Sequence, residues 1–248
     1  MIELHHITKT FNKGQVNEVL ALDAVDLQIG KGAFVVVVGS NGSGKTTLLN
    51  VIAGAVLPSE GQVVLHGQDV TTLPEYKRSR WVARVFQNPL GGTAPELSIL
   101  DNFRLAALRT QRKRLVIGID EKFKKHVKDQ IAVLGLGLED KLQQPIGTLS
   151  GGQRQSLTML MSVMDHTDIL LLDEPTAALD PKSATVVMQT AERLIAEYGL
   201  TTLLITHNLQ ESLRYGNRLI HMAGGKITQD LDTEAKGRLG LKEMVEWF

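Results

Sequence analysis

The sequence contains no cysteine, few aromatic residues and no excess of either charge. Among its 248 residues, aromatic side chains make up 4%, and Lys+Arg and Asp+Glu both number 27. The absence of cysteine is typical of proteins in a reducing compartment. A chain of this length buries enough surface on folding to be stable without a disulfide or a structural metal ion. Because the charges balance, nothing marks a nucleic-acid-binding surface, and we expect no nucleic-acid partner.

Long apolar stretches are missing as well. The longest apolar run, Ala33 to Val38, is far shorter than the roughly 20 residues that a transmembrane helix needs. The first residues lack the basic and apolar regions of a signal peptide. If the protein serves a membrane, another chain must therefore supply the membrane-spanning part.

A buried-type strand followed by a glycine-rich loop is the strongest local signal. The apolar run 34–38 leads into Gly39, Gly44, Lys45 and Thr46, which have the spacing G-x-x-x-x-G-K-T before a predicted helix. Glycines let backbone N–H groups approach phosphate oxygens, and the positive end of the helix faces the same phosphates. The pattern predicts a phosphate-binding loop in which Lys45 contacts the outer phosphates and the Thr46 hydroxyl ligates Mg²⁺.

Two further apolar runs end in polar residues. Asp173 and Glu174 follow one of them, and His207 follows the other. Because ligands bind at the carboxyl ends of parallel strands, these residues are expected to converge on one nucleotide. Asp173 is predicted to hold Mg²⁺ jointly with Thr46, and Glu174 to orient or deprotonate the attacking water. The alternatives are a pair of helix-capping acids and, for His207, a purely structural histidine.

An antiparallel edge is predicted before the phosphate loop. Residues 2–8 and 24–29 alternate in polarity and indicate two strands. Phe11 is predicted to lie in the polar loop between them. There its side chain either stacks on a nucleotide base or packs into the hydrophobic core.

Residues 90–164 have mostly helical patterns between strand-type segments, which favours a helical subdomain inserted into an α/β core. A glycine- and proline-rich loop follows Gln87, and helices are predicted from Ser98 and over 123–134. The basic run 109–114 predicts a solvent-exposed loop or helix end, and contact with lipid headgroups is the alternative. The predicted single domain 1–248 divides into an α/β core (1–89 and 165–232), the helical subdomain (90–164) and a C-terminal helical tail (233–248).

A second glycine turn opens the helix after residue 150. Ser150, Gly151 and Gly152 at a helix start make another anion-binding terminus, although the phosphate loop already serves the nucleotide. The second terminus is therefore predicted to contact the nucleotide of another copy of the chain, related by a two-fold axis.

Together these motifs resemble the ATP-binding subunits of ABC transporters. LSGGQ at 149–153, the phosphate loop, ILLLDE, the ALD turn and ITH match in order and spacing over about residues 2–232. The resemblance implies an α/β fold with a P-loop NTPase (RecA-like) core, an antiparallel β edge and an inserted α-helical subdomain.

The resemblance also implies a role for each matching residue. Gln87 contacts Mg²⁺ and the lytic water, and its loop relays the ATP state to a membrane partner. The opposite protomer's γ-phosphate is capped by Ser150, Gly151, Gly152 and Gln153, while Asp180 lines the dimer interface and Phe11 stacks on the base. The residues that hold ATP are Gly39, Ser40, Asn41, Gly42, Ser43, Gly44, Lys45, Thr46 and Thr47.

The function implied is ATP hydrolysis by a homodimer that energises solute import through a separate integral membrane permease, with an extracytoplasmic solute-binding protein. The location implied is the cytoplasmic face of the bacterial inner membrane. The helix segment 154–161 departs from the Arg/Ala-rich pattern that is usual in the family. Together with segments 92–95 and 215–218, it resembles a subgroup of bacterial uptake systems whose permeases resemble branched-chain amino-acid permeases, with aromatic amino acids as candidate solutes. The alternatives are an exporter or lipoprotein-release ATPase, suggested by the insertion 13–18, a non-transport ABC ATPase and a stand-alone phosphotransferase.

Overall fold

The chain folds into two β-sheets, and helices pack on both faces of the larger one. The computed structural model describes residues 1–88, 91–108, 118–164 and 167–247. The strands are β1 (Ile2–Phe11), β2 (Val19–Ile29), β3 (Phe34–Val38), β4 (Glu60–Leu65), β5 (Gln68–Asp69), β6 (Val82–Val85), β7 (Ile169–Asp173), β8 (Thr201–Ile205), β9 (Arg218–Ala223) and β10 (Lys226–Leu231). The helices are α1 (Lys45–Ala53), α2 (Glu75–Arg78), α3 (Ile99–Ala107), α4 (Glu121–Leu134), α5 (Gly151–Val163), α6 (Pro181–Tyr198), α7 (Leu209–Arg214), α8 (Thr233–Arg238) and α9 (Leu241–Val245), with a 3-10 turn at Ile146–Thr148.

The smaller sheet is the predicted antiparallel edge, in the order β2-β1-β4-β5. Its first two strands are longer than predicted, and the placement of Phe11 in a loop was wrong: Phe11 is the last residue of β1 and pairs with Val19. His6 and Ala24 adopt positive φ angles of 49° and 48° where the register shifts. Register shifts around residues 7–10 of β1 and at Ala24 of β2 interrupt the alternation of polarity, so the predicted β1 ended too early and the predicted β2 began too late.

The larger sheet has the order β10-β9-β3-β8-β7-β6, and all its neighbouring pairs are parallel except β9 with β10. The predicted hairpin across Gly224 and Gly225 is confirmed as β9–β10. Strand β3 lies inside this sheet and contributes to both hydrophobic cores, since Val36 and Val38 face one and Val35 and Val37 the other. This alternation is the period-two pattern of a strand that is buried on both faces.

The segment between β6 and β7 carries α3, α4 and α5, as its helical pattern predicts. Each helix begins at a side-chain cap: Ser98 accepts from Asp101 N, Asp120 from Phe123 N, and Ser150 from Gln153 N. Their buried residues join the core on the Val36 and Val38 side of the sheet. The basic run 109–114 lies outside the described residues. None of the helices in the described ranges is long and apolar enough to cross a membrane.

Candidate nucleotide site

The carboxyl ends of three adjacent parallel strands form the site. Strands β3, β8 and β7 are neighbours in the sheet, so the residues that follow them lie at one edge, as predicted. A cavity of about 610 Å³ at this edge is lined by Gly39, Ser40, Asn41, Thr46, Gln87, Asp173, Glu174 and His207. A second cavity, of about 290 Å³, is lined by Phe11, Val19, Ala21, Asn41, Gly42, Gly44, Lys45, Thr46, Thr47 and Glu174. The fold thus brings together residues that are widely separated in the sequence.

Two glycines of the phosphate loop are required by close backbone contacts. Gly39 has φ of 147°, and a Cβ there would lie 2.1 Å from the carbonyl oxygen of Met222. Gly44 has φ of 101°, and a Cβ there would lie 2.4 Å from the carbonyl oxygen of Ala21. No side chain fits at either position, so this loop conformation depends on glycine.

Lys45 is buried beneath the loop. Its Nζ donates hydrogen bonds to the carbonyl oxygens of Gly39 at 2.8 Å and Ser40 at 2.9 Å. Burial lowers the pKa of the ammonium group, and the carboxylates of Glu174 and Asp173 partly oppose this shift. The lysine places a positive charge where the loop is predicted to hold phosphates.

The predicted magnesium ligands lie next to each other. Thr46 Oγ1 is 3.4 Å from Asp173 Oδ1, and Gln87 lines the same cavity. Asp173 is only 8% exposed, which is costly for a carboxylate unless cationic or hydrogen-bonding partners compensate. Hydroxyl, carboxylate and amide oxygens are the donors that Mg²⁺ prefers, and phosphates and water complete such a site. These residues therefore fit the ion.

Arg84 is a site residue that the sequence analysis missed. Its Nη2 donates to Asp173 Oδ2 at 2.8 Å, and its Nη1 donates to the side-chain oxygen of Asn50. The available signal was a charged residue in the middle of the apolar strand β6, where an arginine needs a buried partner.

Glu174 and His207 form a second pair at the strand ends. His207 Nδ1 lies 3.2 Å from Glu174 Oε2, and Glu174 has a positive φ of 48°. Strained backbone of this kind in a non-glycine residue is often found at functional sites. The capping alternative for Asp173 and Glu174 is wrong, because the next helix, α6, is capped by Asp180.

A hydroxyl–carboxylate network, also missed from the sequence, joins the segments after β7 and β8. Glu211 accepts hydrogen bonds from Thr206 Oγ1 at 2.8 Å and from Thr176 Oγ1 at 3.1 Å. Since Thr176 follows Glu174 closely and Thr206 precedes His207, the network links the two segments that carry the catalytic candidates.

The glycine turn at the start of α5 is not part of this site within one chain. Ser150 is exposed and forms a capping box with Gln153, and the residues 150–153 line neither cavity. Asp180 also lies away from both cavities, where its carboxylate accepts the N–H groups of Lys182 and Ser183. The hydroxyl and N–H of Ser183 lower the pKa of Asp180. The structure thus separates the predicted site residues into two groups.

Comparison with known proteins identifies the family. The ABC transporter family model matches residues 22–177. The tyrosine transport ATP-binding protein of Clostridioides difficile is 37% identical over 250 residues, covering 100% of this chain and 98% of the relative. The phosphonates import ATP-binding protein PhnC of Rhizobium etli is 34% identical, covering 93% of this chain and 80% of PhnC. The spermidine/putrescine import ATP-binding protein PotA of Bacteroides thetaiotaomicron is 33% identical, covering 92% of this chain but 46% of PotA.

Solved cassettes have the same fold. The dimeric ATP-binding cassette MJ0796 bound to ADP and Pi aligns with a TM-score of 0.79 at 29% identity, covering 94% of this chain and 99% of that one. The ADP conformation of MJ1267, a cassette of an ABC transporter, aligns with a TM-score of 0.81 at 27% identity, covering 99% and 97%.

The chain therefore belongs to the ABC transporter family and is an ATP-binding ATPase subunit of a transporter. The predicted fold class is confirmed.

Proposed function

We propose that two copies of this chain enclose two Mg·ATP head to tail and that hydrolysis drives a separate membrane permease. The observation that carries this proposal is the separation of the two groups of site residues. Residues 150–153 line neither cavity of their own chain, although the start of α5 suits a phosphate. A partner related by a two-fold axis can supply them. The dimeric state of the relative MJ0796, bound to ADP and Pi, supports this arrangement.

Within one copy, we assign the binding roles from the contacts. The loop from Gly39 to Thr47, with Lys45, binds the phosphates, and Phe11 stacks on the base. Thr46, Asp173 and Gln87 hold Mg²⁺ in this assignment, because all three line one cavity and Thr46 Oγ1 lies 3.4 Å from Asp173 Oδ1. Bound Mg²⁺ would neutralise charge on the outer phosphates.

We assign the chemical step to Glu174 and His207. Glu174 orients the attacking water and accepts its proton. His207, 3.2 Å from Glu174 Oε2, orients that carboxylate and forms a hydrogen bond to the γ-phosphate that is made chiefly in the transition state. The second copy then contacts the same γ-phosphate with four residues at the start of its α5: Ser150, Gly151, Gly152 and Gln153. Asp180 lies in the interface between the two copies.

Replacing Glu174 by Gln tests the assignment of the general base. The amide keeps the shape of the side chain but cannot accept a proton, so we expect ATP binding to persist while turnover falls by about 100-fold or more. Equilibrium binding of ATP and phosphate release should be measured on the same preparation. Hydrolysis at the wild-type rate would show that Glu174 is not the base.

We infer import as the direction of transport. The relatives named above are import or transport ATPases for phosphonates, polyamines and tyrosine. Residues 1–89 and 165–232 form the nucleotide-binding core in this proposal, 233–248 a tail, and the helical subdomain 90–164 contacts the permease through the loop after Gln87. The chain then acts at the cytoplasmic face of the inner membrane, with an extracytoplasmic solute-binding protein delivering the solute.

For the solute we propose an amino acid, with aromatic amino acids first. The support is the tyrosine transport relative, which is similar over its whole length. The ATPase should be reconstituted in proteoliposomes with candidate permeases encoded in the same genome, together with any solute-binding protein encoded beside them. Tyrosine, phenylalanine, spermidine and phosphonate should be compared, and we expect only the aromatic amino acids to stimulate ATP hydrolysis. Stimulation by another solute alone would refute the assignment.

Export is a second candidate because the sequence insertion 13–18, which lies between β1 and β2, resembles that of exporting or lipoprotein-releasing ATPases. The turn residues 12–18 are exposed, and Gly14 N donates to Glu18 Oε2 at 2.6 Å. The same proteoliposomes separate the candidates by the direction in which the solute accumulates.

A further inference from the structure

Arg84 occupies an unusual position beside the predicted magnesium ligands. It lies in β6, which pairs with β7, and its side chain is only 10% exposed. Its guanidinium group contacts three neighbours: Asp173 at the end of β7, Asn50 in α1, and the ring of Phe86, whose centre is 4.7 Å away. One arginine therefore connects the helix after the phosphate loop with the strand that ends at Asp173.

The contacts of Asp173 divide its two carboxylate oxygens between different partners. Arg84 Nη2 donates to Oδ2 at 2.8 Å, whereas Oδ1 is 3.4 Å from Thr46 Oγ1. The two terminal nitrogens of the Arg84 guanidinium donate to Asn50 and Asp173 at the same time. Because the planar guanidinium is fixed by Asn50, the Asp173 carboxylate bound to it has little freedom to rotate. The Asp173 carboxylate is therefore held in one orientation, with Oδ1 on the side of Thr46.

We propose that Arg84 is a positioning residue that holds the Asp173 carboxylate ready for Mg²⁺. This inference rests on the proposed function, because it assumes that Mg²⁺ binds between Thr46 and Asp173. Arg84 does not contact the ion; it acts through Asp173 by binding the oxygen that faces away from Thr46. Residues that orient metal ligands in this way commonly change metal affinity 10- to 100-fold when they are replaced.

Arg84 also has the opposite effect on the proposed magnesium site, because its positive charge repels a nearby cation. If repulsion were the stronger effect, removal of the arginine would tighten Mg²⁺ binding. The geometry favours positioning, because the guanidinium binds the oxygen that faces away from Thr46 and is itself fixed by Asn50 and Phe86. The two effects predict changes of opposite sign, so one measurement separates them.

The test compares the affinity for a fluorescent ATP analogue in excess Mg²⁺ with that in EDTA. For Arg84→Met we expect the ratio of the two affinities to fall at least about 10-fold, with little change in EDTA. A ratio that is unchanged, or that rises, overturns the proposal. If the wild-type protein itself shows no Mg²⁺-dependent binding, the proposed magnesium site fails instead, so the two failures are distinguishable.

Three further variants keep the test informative if Arg84→Met does not fold. Arg84→Lys retains the positive charge but lacks the second terminal nitrogen that contacts Asn50. Asn50→Ala removes only the contact between Arg84 Nη1 and Asn50. Each variant should lower the ratio of affinities by less than Arg84→Met does. Arg80→Met removes an exposed arginine that stacks on Trp81, outside the site, and should leave the ratio at its wild-type value. A wild-type ratio in both Arg84→Lys and Asn50→Ala would also overturn the proposal.

Discussion

The chemistry of single residues is clearest at Lys45. Its ammonium group is buried and bonded to two carbonyl oxygens of the phosphate loop, Gly39 and Ser40. The lysine both shapes the loop and supplies its positive charge, so the Lys45→Ala variant should lose both contributions. Charge-assisted hydrogen bonds contribute about 1.5–3 kcal/mol each, so ATP affinity should fall about 100-fold.

Isothermal titration of ATP measures this loss, and Lys128→Ala is the matched control. Lys128 is an exposed lysine that pairs with Asp140 away from the cavities, so its removal should leave ATP affinity unchanged. Equal affinity in the Lys45→Ala and wild-type proteins would contradict the assignment of the loop.

His207 permits a separate prediction, because it is exposed and bound to Glu174. Its removal should not affect folding, whereas the carboxylate loses the group that orients it. For His207→Ala we expect single-turnover hydrolysis to slow by about 100-fold, with ATP affinity and Tm near the wild-type values. A slow variant with weakened ATP binding would instead indicate that His207 serves binding and not the chemical step.

At the scale of elements, α5 and α6 pack closely where the glycine turn begins. A Cβ on Gly152 would lie 2.8 Å from the Cβ of Ser183 in α6. Gly152→Ala should therefore force the helices apart and lower stability by about 1–3 kcal/mol. Gly237 in α8 is the control, since a Cβ there meets nothing within 4 Å and alanine favours a helix by about 0.5–1 kcal/mol. Urea denaturation should show opposite shifts, and equal shifts would contradict the packing.

The helix α8 is anchored by a buried lysine whose charge is costly. Lys236 Nζ donates to the carbonyl oxygens of Tyr215 and Gly216, and burial lowers its pKa from the ordinary 10.5 to about 8. Between these values the unfolded chain binds more protons than the folded protein, so the group's contribution to stability rises with pH. Below the folded pKa the full penalty applies.

The free energy of unfolding should therefore change with pH in a way that depends on Lys236. Measured relative to Lys236→Met, wild-type stability should increase between pH values of about 8 and 10. Urea denaturation at several pH values provides the measurement. Parallel pH profiles for the two proteins would show that Lys236 titrates normally.

Local elements were predictable where their causes are local. Strand β3, the glycine loop and α1 follow one another in the sequence, so apolar character, glycine spacing and helix start could be read directly. The full lengths of β1 and β2 could not, because bulges at His6 and Ala24 conceal pairing that only the sheet supplies. Arg84 was missed for a similar reason: its partners Asn50 and Asp173 lie far away in the sequence.

At the scale of the whole molecule, the six-stranded sheet separates two hydrophobic cores, and the candidate nucleotide site lies at its carboxyl edge. The convergence of Gly39, Asp173 and His207 there was predictable from strand ends. The separation of Ser150 from this site was expected only from its redundancy as a second phosphate-binding terminus. A shared site between two copies is the arrangement that uses both groups of residues.

The most direct test of this arrangement is the mass of the Glu174→Gln protein in saturating Mg·ATP, measured by analytical ultracentrifugation. The account predicts a dimer of twice the 27.2 kDa chain, and it predicts that adding Ser150→Arg returns the protein to the mass of one chain while ATP still binds. A monomeric Glu174→Gln protein with ATP bound, or a dimer that Ser150→Arg leaves intact, would contradict it.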